Sequence, residues 1–176
     1  KSRAMRLLIL LINATAYTSV DMAEENNGQA DLINHLSVAN IAGICRDVGC
    51  WFLHVSTDYV FDGTSSLPYI EADRCNPQGV YGHTKFLGEE SIKSSGCKYL
   101  ILRTSWVFSE YGNNFLKTIL KLAESHNELR VVDDQIGCPT SAQEIARTLV
   151  NILPYIETRQ LTSGIYNFCS DSPCSW

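Results

Sequence analysis

WFLHVS (51–56), VYGHTKFLGEESIKS (80–94) and YLILRT (99–104) follow one another along the chain as two short apolar runs around a longer amphipathic segment. Runs this continuous in hydrophobic residues are the pattern of strands buried on both faces of a parallel sheet. The segment between them predicts a helix from about Val80 to Ser94, and Gly96 marks the turn that follows. Thr57 to Gly79 is the connection between first run and helix. It is polar, contains Gly and Pro, and is long by ordinary loop standards, and long loops usually carry function.

Outward from this unit the same alternation continues. Leu7 to Ala14 reads as the first strand. Asp21 with Glu24 three residues on is a capping-box start, and Leu32, Ile33, Leu36, Ile41, Ile44 and Val48 then recur at helical spacing up to Gly49, a helix of about 25 residues. On the other side, Asn113 or Asn114 caps a helix through about Ser125, Leu129 to Val132 reads as a strand, and Ser141 with Glu144 starts a helix through Leu153. Ile165 to Phe168 is the last strand. Strands alternating with helices predict an α/β fold built on a parallel sheet. No repeat, low-complexity segment or linker interrupts residues 1–176, so one domain is expected.

Composition sets the outer bounds. The chain has 176 residues, 45% of them hydrophobic and 19% charged, which suffices for one core, since a domain near this size buries about 68–70% of its unfolded surface. Fourteen Lys and Arg stand against 19 Asp and Glu, a net charge of −5, with no basic cluster; this argues against a nucleic-acid-binding surface. The opening KSRAMRLLILLINATA imitates a secretory leader, and a buried strand is the competing reading; the apolar run is far too short to span a membrane. Asn13-Ala14-Thr15 fits a glycosylation sequon, which beside a core strand reads as accidental. Seven cysteines show no C-x-x-C spacing and the four histidines stand apart, so no metal site is expected. Cysteines used as small buried hydrophobes point to a reducing, cytoplasmic setting, with one reactive thiol left open.

Two sets of residues carry chemistry. Tyr81 and Lys85 stand four apart at the start of the predicted helix, so both lie on one face. A lysine ammonium near a phenol stabilises the phenolate and lowers a pKa that is otherwise near 10; the alternative is a surface tyrosine packed on a lysine stem. Ser56 and Thr57 sit at the carboxyl end of a predicted strand, where open α/β sheets place their ligand crevice. A hydroxyl there can hold a substrate carbonyl oxygen, or it can cap the strand end.

NATAYTSVD (13–21), STDYVFDGT (56–64), YGHTK (81–85), RTSWVF (103–108), GNNF (112–115) and DQIGCPT (134–140) together resemble the dTDP-4-dehydrorhamnose reductase family of extended short-chain dehydrogenases/reductases. The match runs in order through essentially the whole chain. The resemblance implies a Rossmann-like doubly wound parallel sheet and an NAD(P)H-dependent reduction of the 4-keto group of dTDP-4-dehydro-L-rhamnose to dTDP-L-rhamnose, with NADPH or NADH as cofactor. It implies that Tyr81 donates the proton and that Lys85 holds the nicotinamide ribose and depresses the tyrosine pKa. Thr57 would bond the reacting oxygen, Asp58 would contact the substrate and Trp106 would line its pocket. Ala16, Tyr17 and Thr18 would pack against the cofactor.

The resemblance also implies a strand, a Gly-x-x-Gly-x-x-Gly turn and a helix that binds the pyrophosphate, and the 176 residues contain no such turn. The fold is therefore expected to be truncated at the N-terminus, with part of a smaller C-terminal substrate lobe. A nucleotide-sugar substrate is implied; a homodimer or a regulatory partner enzyme stays open, and neither nucleic acid nor membrane is expected. Two other functions remain: a non-catalytic regulatory protein resembling the methionine adenosyltransferase beta subunit, and another sugar-nucleotide enzyme such as an epimerase. RTSWVF and DQIGCPT favour the reductase, whereas the missing glycine-rich turn favours loss of catalysis.

Overall fold

The computed structural model describes residues 10–158 and 160–176. Strand β1 (Leu10–Asn13) opens the described chain; Leu7 to Ile9, which the apolar run assigned to it, lie outside the described residues. The single helix expected from Asp21 to Gly49 is four segments instead: α1 (Val20–Glu25), α2 (Asn27–Asp31), a π-helical turn (Leu32–Leu36) and α3 (Ser37–Val48). Asp21 is not a cap but lies in the first turn of α1, after Ser19. Asn26 breaks the run: its side-chain amide donates back to the Met22 carbonyl at 3.1 Å while its backbone leaves the helical region. In the π-turn both the N–H and the hydroxyl of Ser37 return to the Leu32 carbonyl, the hydroxyl at 2.7 Å, so this turn is one residue wider than an α-turn. Hydrophobic spacing reveals neither interruption, because the apolar stripe continues across both.

Strand β2 (Trp51–Thr57) is buried almost throughout and passes into a 3₁₀ turn, Asp58–Val60. The long loop after it organises itself around Asp62, whose carboxylate accepts from the Thr64 hydroxyl (2.8 Å), the Tyr69 hydroxyl (2.8 Å) and the Asn76 amide (3.2 Å), while Phe61 stacks on Tyr69. Helix α4 (Val80–Ser94) matches its expected limits, and β3 (Lys98–Thr104) follows. Then come β4 (Val107–Phe108), α5 (Phe115–Ala123), β5 (Ile136–Gly137), β6 (Thr140–Ser141), α6 (Ala142–Asn151), α7 (Leu153–Glu157), β7 (Gly164–Asn167) and β8 (Cys174–Ser175).

The contacts divide the described residues into two units. The first, from Lys1–Arg103 and Thr162–Asn167, holds a four-stranded sheet in the order β1-β2-β3-β7, with β1 parallel to β2 and β3 parallel to β7. Its core joins Val38, Ala42 and Cys45 of α3, Ile92 of α4, Phe52 of β2 and Ile101 of β3, with Cys50 and Cys97 at the loop ends. Those three cysteines are buried as expected, whereas Cys75 and Cys138 are half-buried and Cys169 and Cys174 exposed. Among the described residues no helix is long and apolar enough to cross a membrane.

Helix α4 sits unusually close to its neighbours. A Cβ on Gly82 would meet the carbonyl of Tyr59, and a Cβ on Gly88 the carbonyl of Asn34. Both contacts are with backbone, which cannot swing away, so Gly82→Ala or Gly88→Ala is expected to cost about 1–3 kcal/mol. Gly43 on α3 has open space around the same position, and Gly43→Ala is expected to gain about 0.5–1 kcal/mol from helix propensity. Urea midpoints measure all three. A Gly82→Ala midpoint at or above the parent's would show that α4 does not depend on the close approach.

The second unit, Thr104–Leu161 with Phe168–Trp176, pairs β4 with β6 in parallel and β5 with β8 antiparallel. Leu129 to Val132 is not a strand: the segment is irregular, with Val131 and Val132 exposed and no strand partner among the described residues. Asn114 is the cap of α5, accepting from the Lys117 N–H at 3.1 Å. Ser141 precedes α6 without a side-chain cap bond, and Glu144 pairs instead with Arg147 at 2.6 Å. The helix expected to reach Leu153 stops at Asn151; a new one begins with Pro154 in its first turn, where a proline has no N–H to continue the earlier ladder.

Candidate active site

The carboxyl end of β2 and the first two turns of α4 bring Thr57, Asp58, Tyr81 and Lys85 into one place. Thr57 is buried; its hydroxyl accepts from the Tyr59 N–H and donates to Asp58 Oδ1, each at 3.2 Å. It is near enough to the Tyr81 phenol to pull that group's pKa down. The Tyr81 ring is half-buried and meets Tyr59 edge-on at 5.5 Å. Burial pushes the Tyr81 phenol above its ordinary value, the Thr57 hydroxyl pulls it down, and the charges of Asp58 and Tyr59 push it up further.

Lys85 is only 1% exposed, so it is not the stem of a surface pair. Its Nζ donates to the Val55 carbonyl at 2.7 Å and lies 3.0 Å from Nε2 of His54. Burial pulls the Lys85 amine down to about 8, against the Glu89 charge, which raises it. The groups that act on the Tyr81 phenol are Thr57, Asp58 and Tyr59. The Lys85 amine is turned toward β2, to Val55 and His54.

Ala16 and Tyr17 are half-buried at the exit of β1 and Thr18 is exposed. The Tyr17 backbone is clamped from both sides by Asn34, whose Oδ1 accepts from the Tyr17 N–H (2.8 Å) and whose Nδ2 donates to the Tyr17 carbonyl (3.1 Å). The same Nδ2 lies 3.2 Å from the Thr84 hydroxyl, one residue before Lys85. Trp106 belongs to the second unit. Its backbone is left-handed, φ 46°, rare for a bulky residue, and its ring stacks on Trp176 at 3.6 Å over Gly137.

Sequence reasoning passed over His54, Asn34, Glu24 and the pair Glu89 and Arg103. Glu24 of α1 accepts the Val80 N–H at 2.8 Å, where the free N–H groups of α4 favour a carboxylate. Glu89 and Arg103 are buried and paired at 2.6 and 3.0 Å, and Ser56 donates to Glu89 at 2.6 Å. The signal for Glu89 was present: it is four residues past Lys85, on the same helical stripe. Among the described residues no group of three or more His, Cys, Asp or Glu could hold a metal ion.

Asp58 makes the site's protonation testable. Burial pushes its carboxyl from 3.8 up to about 6, partly offset by the Thr57 hydroxyl and nearby backbone N–H groups. The folded value lies above the unfolded one, so this group's contribution to stability is full below the unfolded pKa and is lost as pH rises through about 6. Asp58→Asn keeps the shape and removes the buried charge. It is expected to raise stability above about pH 7 by roughly 1–3 kcal/mol and to change little below about pH 4. Urea midpoints at the two pH values measure it; equal effects at both would show that Asp58 is ionised freely in the fold.

A protein-family model described as "RmlD substrate binding domain" matches residues 5–176. The chain is 41% identical over 167 residues to the dTDP-4-dehydrorhamnose reductase of Escherichia coli (strain K12), covering 95% of this chain and 56% of that protein. It is similar to the crystal structure of a dTDP-4-dehydrorhamnose reductase from Clostridium acetobutylicum, with a TM-score of 0.88 and 40% identity over 95% of this chain and 57% of that one. It is similar as well to a dTDP-4-dehydrorhamnose reductase from Bacillus anthracis in complex with NADP, with a TM-score of 0.84 and 39% identity over 95% of this chain and 58% of that one. The chain thus spans a little over half the length of the relatives it matches.

Proposed function

The chain belongs to the RmlD substrate binding domain family, and from that membership we propose that it works in the NAD(P)H-dependent reduction of the 4-keto group of dTDP-4-dehydro-L-rhamnose to dTDP-L-rhamnose. One observation carries the reading: α4 lies against the carboxyl end of β2, with Lys85 reaching the Val55 carbonyl and Tyr81, one turn earlier, meeting Tyr59 beside Thr57. Reduction of a ketone consumes one hydride and one proton, and this phenol is in the form that gives the proton.

The residues present fit the ribose end of a nicotinamide dinucleotide. Tyr81 and Lys85 stand one turn apart on α4, where the Lys85 amine bonds Val55 and His54 and would turn from them to reach a ribose, and Asn34 clamps the Tyr17 backbone at the exit of β1 and reaches Thr84 of the same helix. Ala16, Tyr17, Thr18, Tyr81 and Lys85 would hold NADPH or NADH, which supplies the hydride when bound. Thr57 orients the keto oxygen and Tyr81 donates its proton to that oxygen as it gains charge; such a positioned acid contributes typically 10²–10⁴-fold. Asp58 would contact the substrate, and Trp106, in the second unit, is a further residue assigned to the substrate. Cys45, Cys50, Cys75, Cys97, Cys138 and Cys174 are thiols, which supports a cytoplasmic setting.

The test uses this chain within a protein of its relatives' full length that carries the glycine-rich pyrophosphate turn, with NADPH or NADH and dTDP-4-dehydro-L-rhamnose; the 176 residues alone are expected to bind little or no cofactor. Loss of the nicotinamide absorbance together with appearance of dTDP-L-rhamnose is expected. Absence of both would overturn the assignment.

A further inference from the structure

RTSWVF, GNNF and DQIGCPT, which lie far apart in the sequence, meet in the second unit, and Trp106 stands where they meet. Its left-handed backbone, φ 46°, is rare for a bulky side chain and persists only where the surroundings over-determine it. They do so on both sides of the residue. The Ser105 hydroxyl donates to the Cys138 carbonyl at 3.0 Å, and the Thr140 N–H donates to the Trp106 carbonyl at 3.1 Å. Just ahead of Cys138 stands Gly137, where a Cβ would run into the Trp106 ring. The Gly137 backbone is not left-handed, so it is the ring, and not the path of the chain, that calls for glycine there.

The indole has a second support. Strand β5 pairs antiparallel with β8, Ile136 opposite Ser175 and Gly137 opposite Cys174, and one step further in the same register Trp176 comes opposite Gln135. The Trp176 indole N–H donates to Gln135 Oε1 at 3.0 Å. Its ring stacks on Trp106 at 3.6 Å with 16° between the planes, and Phe115, from GNNF, packs against it at 4.3 Å. Trp176 thus uses its one polar group on Gln135 and its ring on Trp106 and Phe115. Both indoles are half-buried, so these contacts fix the orientation of rings that still reach the surface.

We propose that Trp176 is a positioning residue for Trp106: aligned by Gln135, it fixes the Trp106 indole over Gly137 in the orientation in which that ring meets the nucleotide-sugar substrate. The inference rests on the reductase reading, which assigns Trp106 to the substrate. A ring held in place before the ligand arrives makes its contact without the loss of freedom that a loose ring would suffer. Releasing it therefore weakens binding of the sugar nucleotide and leaves proton transfer from Tyr81, in the other unit, at its rate.

The stack is read first, by NMR of the chain labelled at tryptophan. The ring current of Trp176 is expected to hold the Trp106 ring protons upfield of those of a free indole, and Trp176→Leu to return them toward it. Kinetics follow in a protein of the relatives' full length. Trp176→Leu and Gly137→Ala are each expected to raise the KM for dTDP-4-dehydro-L-rhamnose about two- to tenfold, the worth of one aromatic stacking contact, with kcat and cofactor affinity changed by less than about twofold. In a Trp106→Leu background Trp176→Leu is expected to add nothing further, because it acts only through that ring. Trp106 protons at free-indole positions in the parent would overturn the proposal, as would an unchanged KM once the stack is lost, which is the outcome of a merely structural role, or an equal rise of KM in both backgrounds. Should Trp176→Leu not fold, Gln135→Ala, which removes one bond and no ring, is expected to move both readouts in the same directions. No turnover in the parent would overturn the reductase reading, whereas the hold of Trp176 on Trp106 is decided by the spectra alone.

Discussion

In a protein of its relatives' full length, Tyr81→Phe is expected to lower kcat by about 10²–10⁴-fold while cofactor affinity stays nearly intact. The substitution removes one oxygen and its proton and almost no volume. The ring keeps its edge-on contact with Tyr59, and Lys85 keeps its bonds to Val55 and His54, so neither the fold nor the lysine has reason to move. On the proposed reading, what goes is the group that would neutralise charge on the keto oxygen, an interaction made only as the transition state forms. Such a loss lowers kcat and kcat/KM together. Nicotinamide absorbance gives the rates and calorimetry gives cofactor affinity. Turnover near the parent rate would transfer the acid role to another group, of which Asp58, with its carboxyl pushed up to about 6, is the next in place.

The largest loss of stability is expected at the buried ion pair. Glu89 and Arg103 are 0% and 4% exposed and meet through two bonds. The guanidinium also lies over the Phe61 ring at 5.0 Å and reaches the Cys75 thiol. Glu89→Leu leaves that guanidinium buried without its carboxylate and strands the Ser56 hydroxyl. A cost of about 3–5 kcal/mol follows from an uncompensated buried charge. Adding Arg103→Met removes the charge as well, and the double variant is expected to recover most of the loss, since an apolar pair of similar volume is often neutral. Urea unfolding of the parent, both single variants and the double gives the coupling energy. A double variant as unstable as the sum of the singles would mean that the pair holds its surroundings independently.

The framework of the fold was legible because it is written in local spacing. Helix α4 was read to its ends, since the polar loop to Gly79 precedes it and Gly96 closes the other side. Strand β2 was read to within a residue, because WFLHVS is apolar without a break. The interruptions of the α1 to α3 run were not legible: a bond from the Asn26 amide to Met22, or from Ser37 to Leu32, changes no hydrophobic period. Leu129 to Val132 failed for the converse reason, apolar spacing with no neighbouring strand to receive it.

The candidate site divides in the same way. Tyr81, Lys85 and Thr57 stood out because their spacing and their place at a strand end imply chemistry. His54, Asn34, Glu89 and Arg103 did not, since a buried polar residue and a surface one look alike until a partner is known. Those partners are far along the chain: Asn34 meets Thr84, His54 meets Lys85 and Ser56 meets Glu89. No window of sequence contains both members of such a pair.

The π-turn at Leu32–Leu36 stores information of another kind. It is a helix with one residue to spare, and the spare residue is what aims the Asn34 side chain at Tyr17 and Thr84 and brings its carbonyl against Gly88. Removing any one residue there would restore ordinary winding and rotate everything on its far side by about 100°. Both helices would survive with the same composition and the same apolar stripe, yet the exit of β1 and the face of α4 that carries Tyr81 and Lys85 would no longer share an asparagine. At this place the chain is tolerant of what the letters are and intolerant of how many there are, so insertions and deletions, rather than substitutions, are the changes that the lineage of such a site has to avoid.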